Sequence, residues 1–282
     1  INIYNSLSAS AFFLLLYNPL LIKAVGFQLS YIAVISIVYL QPRLQKLLTF
    51  RSGILQKTWV LTTVSIAAQI GTAPISFLYF HMFPNWFLLS NLAVIPLATV
   101  IVYNAGLLLL FSFIPFVSDA FAFSLKYAVK LLNGSVNFIE QLPASATENI
   151  PFQLADTIFW YLIIISILIF LQYKQSRQLQ ITVVLFIAYL GFLTMEDIRE
   201  KKQQRIIVYN IRKTSLVQFI KGNTAINISD DSLYNTDAYN YAADMHTLNN
   251  GIKELRFHSH NSPQINNYNF LYRKEEFFFF GN

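Results

Sequence analysis

From Thr58 to Ser118 the chain runs sixty-one residues without an Asp, Glu, Lys or Arg. A water-soluble surface needs charge for its solvation, whereas a charge at the centre of a bilayer costs about 2.5–3.5 kcal/mol on the insertion scale. A run of this length selects a membrane fold. It is not uniformly apolar, because Gln69, Thr72, Asn85, Ser90, Asn91 and Asn104 punctuate it, and Pro74, Pro84, Pro96 and Pro115 interrupt its helical pattern. Apolar walls with interior polar groups and proline breaks point to a membrane protein that moves something polar.

The charge that is missing there is concentrated at the other end. Residues 1–195 hold 13 of the 34 charged groups and residues 196–282 hold 21. This shift divides the chain into a polytopic membrane domain over 1–195, a charged linker over 196–205, and a small soluble domain over 206–282, β or α+β and expected to be incomplete. The net charge of +6 mainly reports orientation, since Lys and Arg collect in cytoplasmic loops. With no Cys, neither a disulfide framework nor a thiolate metal site can form. The sequence starts at Ile1, at the edge of an apolar segment and without an initiator Met, so a longer protein is expected; that segment lacks the basic start and small-residue cleavage pattern of a signal peptide.

Apolar periodicity predicts a mainly α fold: a transmembrane bundle with broken helices and one amphipathic interfacial helix, followed by the β-rich tail. The first helix, from Ala11, ends near Tyr17 at Asn18-Pro19, and a second over Phe27–Leu40 is stopped by Pro42. Arg43, Lys46, Arg51 and Lys57 form the densest basic loop of this part, placed in the cytoplasm. Thr58–Phe80 is long enough to cross about 30 Å at about 1.5 Å per residue. Trp86–Phe113, with Pro96 and Asn104-Ala105-Gly106, predicts either a kinked crossing or a hairpin within the membrane. Over Phe116–Leu142, Asp119, Lys126, Lys130, Asn133 and Asn137 share one helical face, which suits a helix in the interface or beside a pore. Thr157–Tyr173 and Ile181–Thr194 are further spans; Lys174 and Arg177 mark the inner side, leaving the tail outside. Alternation then predicts strands at Ile206–Tyr209, Leu216–Ile220, Thr224–Ile228, Arg256–His258 and Phe277–Phe280.

Thr62, Ser65, Gln69, Thr72 and Ser76 are spaced 3, 4, 3 and 4, a single polar stripe on an apolar helix. Such a stripe either lines a hydrophilic passage or packs between helices, where each hydrogen bond is worth about 0.6–2 kcal/mol. Ser90-Asn91 ahead of Pro96, and Gln28 and Ser30 on the second helix, are candidates for the same path, with Pro74 and Pro96 as candidate helix breaks. Lys126 and Lys130 are the candidate phosphate contacts. Catalysis needs convergent ionisable groups, and Asp119, Glu140, Glu148 and Asp156 all fall near predicted helix ends or loops. His81 stands at an expected interface, where its ring would snorkel. His246 and the His258-Ser259-His260 pair lack the further ligands of a zinc site, and there is no glycine-rich phosphate cradle. Neither a catalytic residue nor a cofactor or metal is predicted.

Asn18-Pro19, Gly26-Phe27-Gln28-Leu29-Ser30-Tyr31, Pro42, Thr72-Ala73-Pro74 and Asn91-Leu92-Ala93-Val94-Ile95-Pro96 occur in the order and spacing of the competence family of DNA-uptake proteins, the ComEC type. The chain resembles that family over residues 5–195. The resemblance implies an inner-membrane channel that passes single-stranded DNA into the cytoplasm, with an external DNA receptor and a cytoplasmic helicase-type ATPase as partners, surrounded by membrane lipid. It leaves self-association into a homo-oligomer open. Many members carry a metallo-β-lactamase-like C-terminal domain. Here Asn210-Ile211-Arg212-Lys213-Thr214-Ser215 stands where that domain has its Asp-Val-Gly-x-Gly-Asp segment, and the His-x-His-x-Asp-His motif is missing. The tail resembles a degenerate or truncated form, and nuclease activity is not expected. The rival expectations are a membrane enzyme acting on lipid-linked substrates through Asp119, Glu140 and Glu148, and a solute transporter.

Overall fold

The computed structural model describes residues 2–211, 214–229, 247, 250–252, 254–259, 265–267, 270–273 and 276–279. Two compact units divide the chain, Ile1–Ile150 and Pro151–Asn282. Their boundary falls between the fifth and sixth helices, well ahead of the compositional shift near residue 195. Composition follows solvent, whereas compactness follows which elements pack together.

The first unit begins with helix α1, Ile3–Tyr17, which ends at Asn18 as the Asn-Pro turn predicts. The Asn18 side chain accepts from Leu20 N at 3.0 Å and caps a short 3-10 helix, Pro19–Lys23. Helix α2, Val25–Gln45, overturns the expected stop at Pro42, which lies inside its last turns. A proline there removes one hydrogen bond close to a terminus whose carbonyls lack helical partners anyway. Arg43 further donates to the Tyr39 carbonyl and lies 3.8 Å over the Tyr39 ring.

Helix α3 is Gly53–Phe80 and helix α4 is Phe87–Leu110. Pro74 and Pro96, expected as breaks, sit inside these helices, which run on through them. Each proline costs one main-chain bond, and neighbouring groups in a membrane helix can take up the freed carbonyl. The continuity of α4 also removes the hairpin alternative, leaving one helix about 36 Å long at about 1.5 Å per residue. Helix α5, Pro115–Glu140, starts with its proline in the first turn, where a missing N–H costs nothing.

α2 packs on α3 and α4 on α5. The α2–α3 contact is tight at Gly71, where an added Cβ would fall 1.8 Å from Ser36 Oγ. Thr63, Ser65, Ala67, Ala73 and Pro74 are also buried along α3, joined by the larger Ile75 and Phe77 near its end, so small residues predominate in its packed part. Trp59 Nε1 closes the same pair by donating to the Gln45 carbonyl at 3.2 Å. Two short strands, β1 (Phe83–Pro84) and β2 (Ala146–Thr147), pair antiparallel and join the α3–α4 turn to the loop after α5.

In the second unit, α6 (Leu154–Tyr173) and α7 (Ser176–Lys202) form a hairpin turning at Lys174, whose φ of 51° is left-handed. Asp156 is buried; it caps α6 by accepting from Gln153 N at 2.7 Å, and its other oxygen accepts from Tyr189 at 3.1 Å. Ser166 and Thr182 hydroxyls meet at 2.7 Å. The expected linker over 196–205 is mostly helix, because 196–202 are the last turns of α7, supported by an Asp197–Lys201 pair one turn apart.

Strands β3 (Gln204–Ile211), β4 (Thr214–Lys221), β5 (Thr224–Ser229) and β6 (Glu254–Ser259) form one sheet in sequence order, antiparallel except for the β5–β6 pair. Phe219, Ile226 and Ile228 make its core. Gln218 and Asn227 are also fully buried, and Gln218 Nε2 donates to Asn227 Oδ1 at 2.9 Å and to Thr247 Oγ1 at 3.1 Å. Burial pushes the Tyr209 phenol up to about 12, so it stays protonated and donates to Gln218 Oε1 at 2.9 Å. Strands β7 (Ile265–Asn267), β8 (Phe270–Arg273) and β9 (Glu276–Phe279) form a second, antiparallel sheet. Phe280, His246 and His260 lie outside the described residues, so the histidine pair has no described geometry.

Candidate functional site

The polar stripe of α3 separates into two kinds of group. Thr62 Oγ1 donates to the Thr58 carbonyl at 2.9 Å, Ser65 Oγ to Leu61 at 3.0 Å, and Thr72 Oγ1 to Ala68 at 2.9 Å. These hydroxyls are satisfied by their own helix, and Ser65 is buried. Gln69 and Ser76 are half-buried and have no hydrogen-bond partner among the described residues. On α4, Ser90 and Asn91 are likewise half-buried and unpartnered among those residues. An unpaired amide taken out of water costs about 1–3 kcal/mol by protein mutational measures. Inside a bilayer such groups need a partner or a wet cavity.

The remaining candidates scatter. Gln28 Nε2 donates to the Ile22 carbonyl at 2.8 Å and ties the 3-10 helix to α2, a local role the sequence did not suggest. Ser30 is exposed on α2. Pro74 lies on the packed face of α3, whereas Pro96 is exposed on α4.

Lys126 and Lys130 are exposed one turn apart on α5, with no ion pair to another described residue. Lys130 borders a cavity of about 670 Å³ between α4 and α5, whose walls are Leu89 and Ala93 on one side and Tyr127, Gly134 and Phe138 on the other. Asp119 and Glu140 lie twenty-one residues apart on this one helix, about 31 Å at about 1.5 Å per residue. Asp119 cannot converge with Glu140 in one catalytic site.

His81 corrects an expectation. It is buried rather than snorkelling, in a left-handed conformation with φ of 52°. Its Nδ1 lies 2.9 Å from the Ile150 carbonyl, while Ile150 N donates to the His81 carbonyl at 2.9 Å. Asn85 Nδ2 donates to the Ala144 carbonyl at 2.8 Å and to Thr147 Oγ1 at 3.1 Å, and Trp86 Nε1 donates to the Pro143 carbonyl at 3.2 Å. These bonds clip the α3–α4 turn to the segment after α5. Sequence reading missed the clip because it joins residues some sixty apart. The Gly71–Ser36 contact had a local signal, the small residues Ala67 and Gly71 one turn apart on a spanning helix.

Among the described residues five helices, α2, α3, α4, α6 and α7, are long and apolar enough to cross a membrane. With the sixty-one-residue uncharged run they define a polytopic α-helical membrane protein. Residues 1–175 match the family model described as Competence protein. That is more than half of the chain, which belongs to the competence protein family and serves DNA uptake. No curated protein sequence and no solved structure matches it. The match takes in α1 to α6 and ends at the α6–α7 turn, so the strands of the tail lie outside it. Among the described residues there is no cluster of three or more His, Asp or Glu able to hold a metal ion.

Proposed function

We propose that this chain is a multi-pass channel of the bacterial inner membrane that passes single-stranded DNA into the cytoplasm during natural transformation, without catalysis of its own. The observation that carries the reading is two half-buried carboxamides without a hydrogen-bond partner among the described residues, Gln69 on α3 and Asn91 on α4, in helices whose one charge is Lys57 in the first turns of α3. In lipid they would be a standing cost, and water on a polar path removes it. Neutral amides and hydroxyls let a polyanion slide, because conduction needs sites that are several and weak. Lys126 and Lys130 supply the cationic contacts that a strand bearing one phosphate per nucleotide requires.

Force and delivery come from partners: a DNA receptor outside and a helicase-type ATPase in the cytoplasm. The β-rich tail sits on the periplasmic side. The separation of Asp119 from Glu140 along α5 weighs against an enzyme of lipid-linked substrates built on the interfacial carboxylates.

The deciding experiment deletes the gene in its source organism and follows labelled duplex DNA, scoring periplasmic and cytoplasmic pools separately. DNA stranded outside the inner membrane without transformants is the expected result. Unchanged arrival of label in the cytoplasm would refute the channel.

A further inference from the structure

We infer that α5 crosses the membrane, in addition to the five apolar helices, and carries Lys126 and Lys130 at mid-membrane depth as a station for passing phosphate groups. The crossing stands on geometry alone; the identity of the phosphates rests on the proposed function. Hydropathy overlooks α5 because its polar face, Asp119, Lys126, Lys130, Asn133 and Asn137, lowers the mean. Its length does not disqualify it. Twenty-six residues make about 39 Å of helix, against a hydrocarbon core of about 30 Å.

The decisive observation is how α5 is held against α4. At one end the Phe111 and Phe121 rings stack with centroids 6.1 Å apart. At the other, Leu89 and Ala93 of α4 face Gly134, Phe138 and Ile139 of α5, and the Trp86–Pro143 bond and β1–β2 pairing close the end. α5 therefore runs antiparallel beside α4 along its whole length. A helix lying in the interface plane would touch a crossing helix at one end only. α4 has no charged residue in twenty-four and crosses; a helix fastened to it at both ends crosses with it.

Charge in the loops agrees. With α5 crossing, the Lys174–Arg177 turn falls on the same side as Arg43, Lys46, Arg51 and Lys57. Without it, the two basic loops fall on opposite sides, against the positive-inside tendency. Lys130 is ten residues from the end of α5 and Lys126 fourteen, about 15 and 21 Å along a helix of about 39 Å. Lysines at that depth need water or an anion, which makes a solvated polar face the consistent arrangement.

These 282 residues contain no cysteine, so an introduced thiol is the single one among them. Ser112→Cys before α5, Glu148→Cys after it and Asn133→Cys on its polar face would be placed in the full-length protein and probed in spheroplasts. The probes are a membrane-impermeant maleimide for the loops and a small charged thiosulfonate for Asn133→Cys. The expected result is labelling at 148 from outside, labelling at 112 only after permeabilisation, and reaction at 133 with the thiosulfonate. Labelling of 112 and 148 from the same side, or an inert thiol at 133, would overturn the crossing. For the phosphate station, Lys126→Gln with Lys130→Gln should lower transformation about tenfold or more with unchanged labelling, and the double Arg variant should retain it. A normal yield from the Gln pair would overturn the station whatever the labelling shows.

Discussion

Gly71 is where a single methyl group tests the helix packing on which the membrane unit rests. An ideal Cβ there would stand 1.8 Å from Ser36 Oγ, 2.6 Å from Ser36 Cβ and 3.3 Å from Ile32 Cγ2. Rotation of Ser36 relieves the first contact and not the second, because the Cβ of Ser36 is fixed by the α2 backbone. Gly71→Ala therefore forces α2 and α3 apart or along each other, an overpacking cost of about 1–3 kcal/mol. Helix propensity returns about 0.8–1.0 kcal/mol of that. The net expectation is a loss of up to about 2 kcal/mol, and Gly71→Val, with more bulk and less propensity gain, should sit at or above it. Ser36→Gly removes both offending atoms. Paired with Gly71→Ala it should recover much of the loss, with a coupling of about 0.5–3 kcal/mol, the range for residues in direct contact. Reversible unfolding of the purified full-length protein by SDS in mixed micelles, across the four members of the cycle, measures this. A Gly71→Ala protein more stable than wild type, or no coupling between the two positions in the cycle, would refute the packing described here.

Gln69→Leu should reduce transformation about tenfold, equivalent to about 1.4 kcal/mol in the barrier, with membrane insertion unchanged by protease mapping. Normal transformation would remove Gln69 from the path. Ser65→Leu would not serve as a companion test, since Ser65 is buried and leucine would overpack the bundle. Alanine at Asp119, Glu140 and Glu148 together should leave DNA uptake within about twofold, as expected where exposed side chains serve no chemistry; abolished uptake in an inserted protein would restore an enzymatic reading. Asn85→Ala deletes three hydrogen bonds across the clip and should cost about 1–3 kcal/mol in the same SDS titration, whereas an unchanged midpoint would show that the clip contributes nothing to stability.

The helices of the membrane unit were legible because the bilayer imposes a local rule. Twenty apolar residues read the same wherever they pack, so α3, α4 and α6 could be placed from periodicity alone. Hairpin strands are nearly as local, and β3 to β5 fell where alternation put them. Prolines misled for a physical reason. In water, Pro74 and Pro96 would each end or bend a helix, but where exposed backbone has no water to bond to, keeping the helix costs less than breaking it, while Pro42 is tolerated because it lies close to the end of α2.

The candidate site was legible only as a set of residue types. Spacing places Thr62, Ser65, Gln69, Thr72 and Ser76 on one face, and nothing in that spacing tells a hydroxyl bonded to its own helix from an amide left without a partner. That distinction decides which residues can face water, and it depends on how α2 covers α3. The same holds for α5. Its amphipathic pattern fits a helix lying in the interface and a helix beside a pore equally well, since both bury one face and wet the other. What separates them is the direction of α5 relative to α4, set by the Phe111–Phe121 contact at one end and by the Asn85, Trp86 and β1–β2 bonds at the other. The bonds and pairings at that second end join residues 57 to 64 positions apart in the chain. A charged face carried through the membrane is thus a property of pairing between helices, and a reading confined to one helix at a time is blind to it.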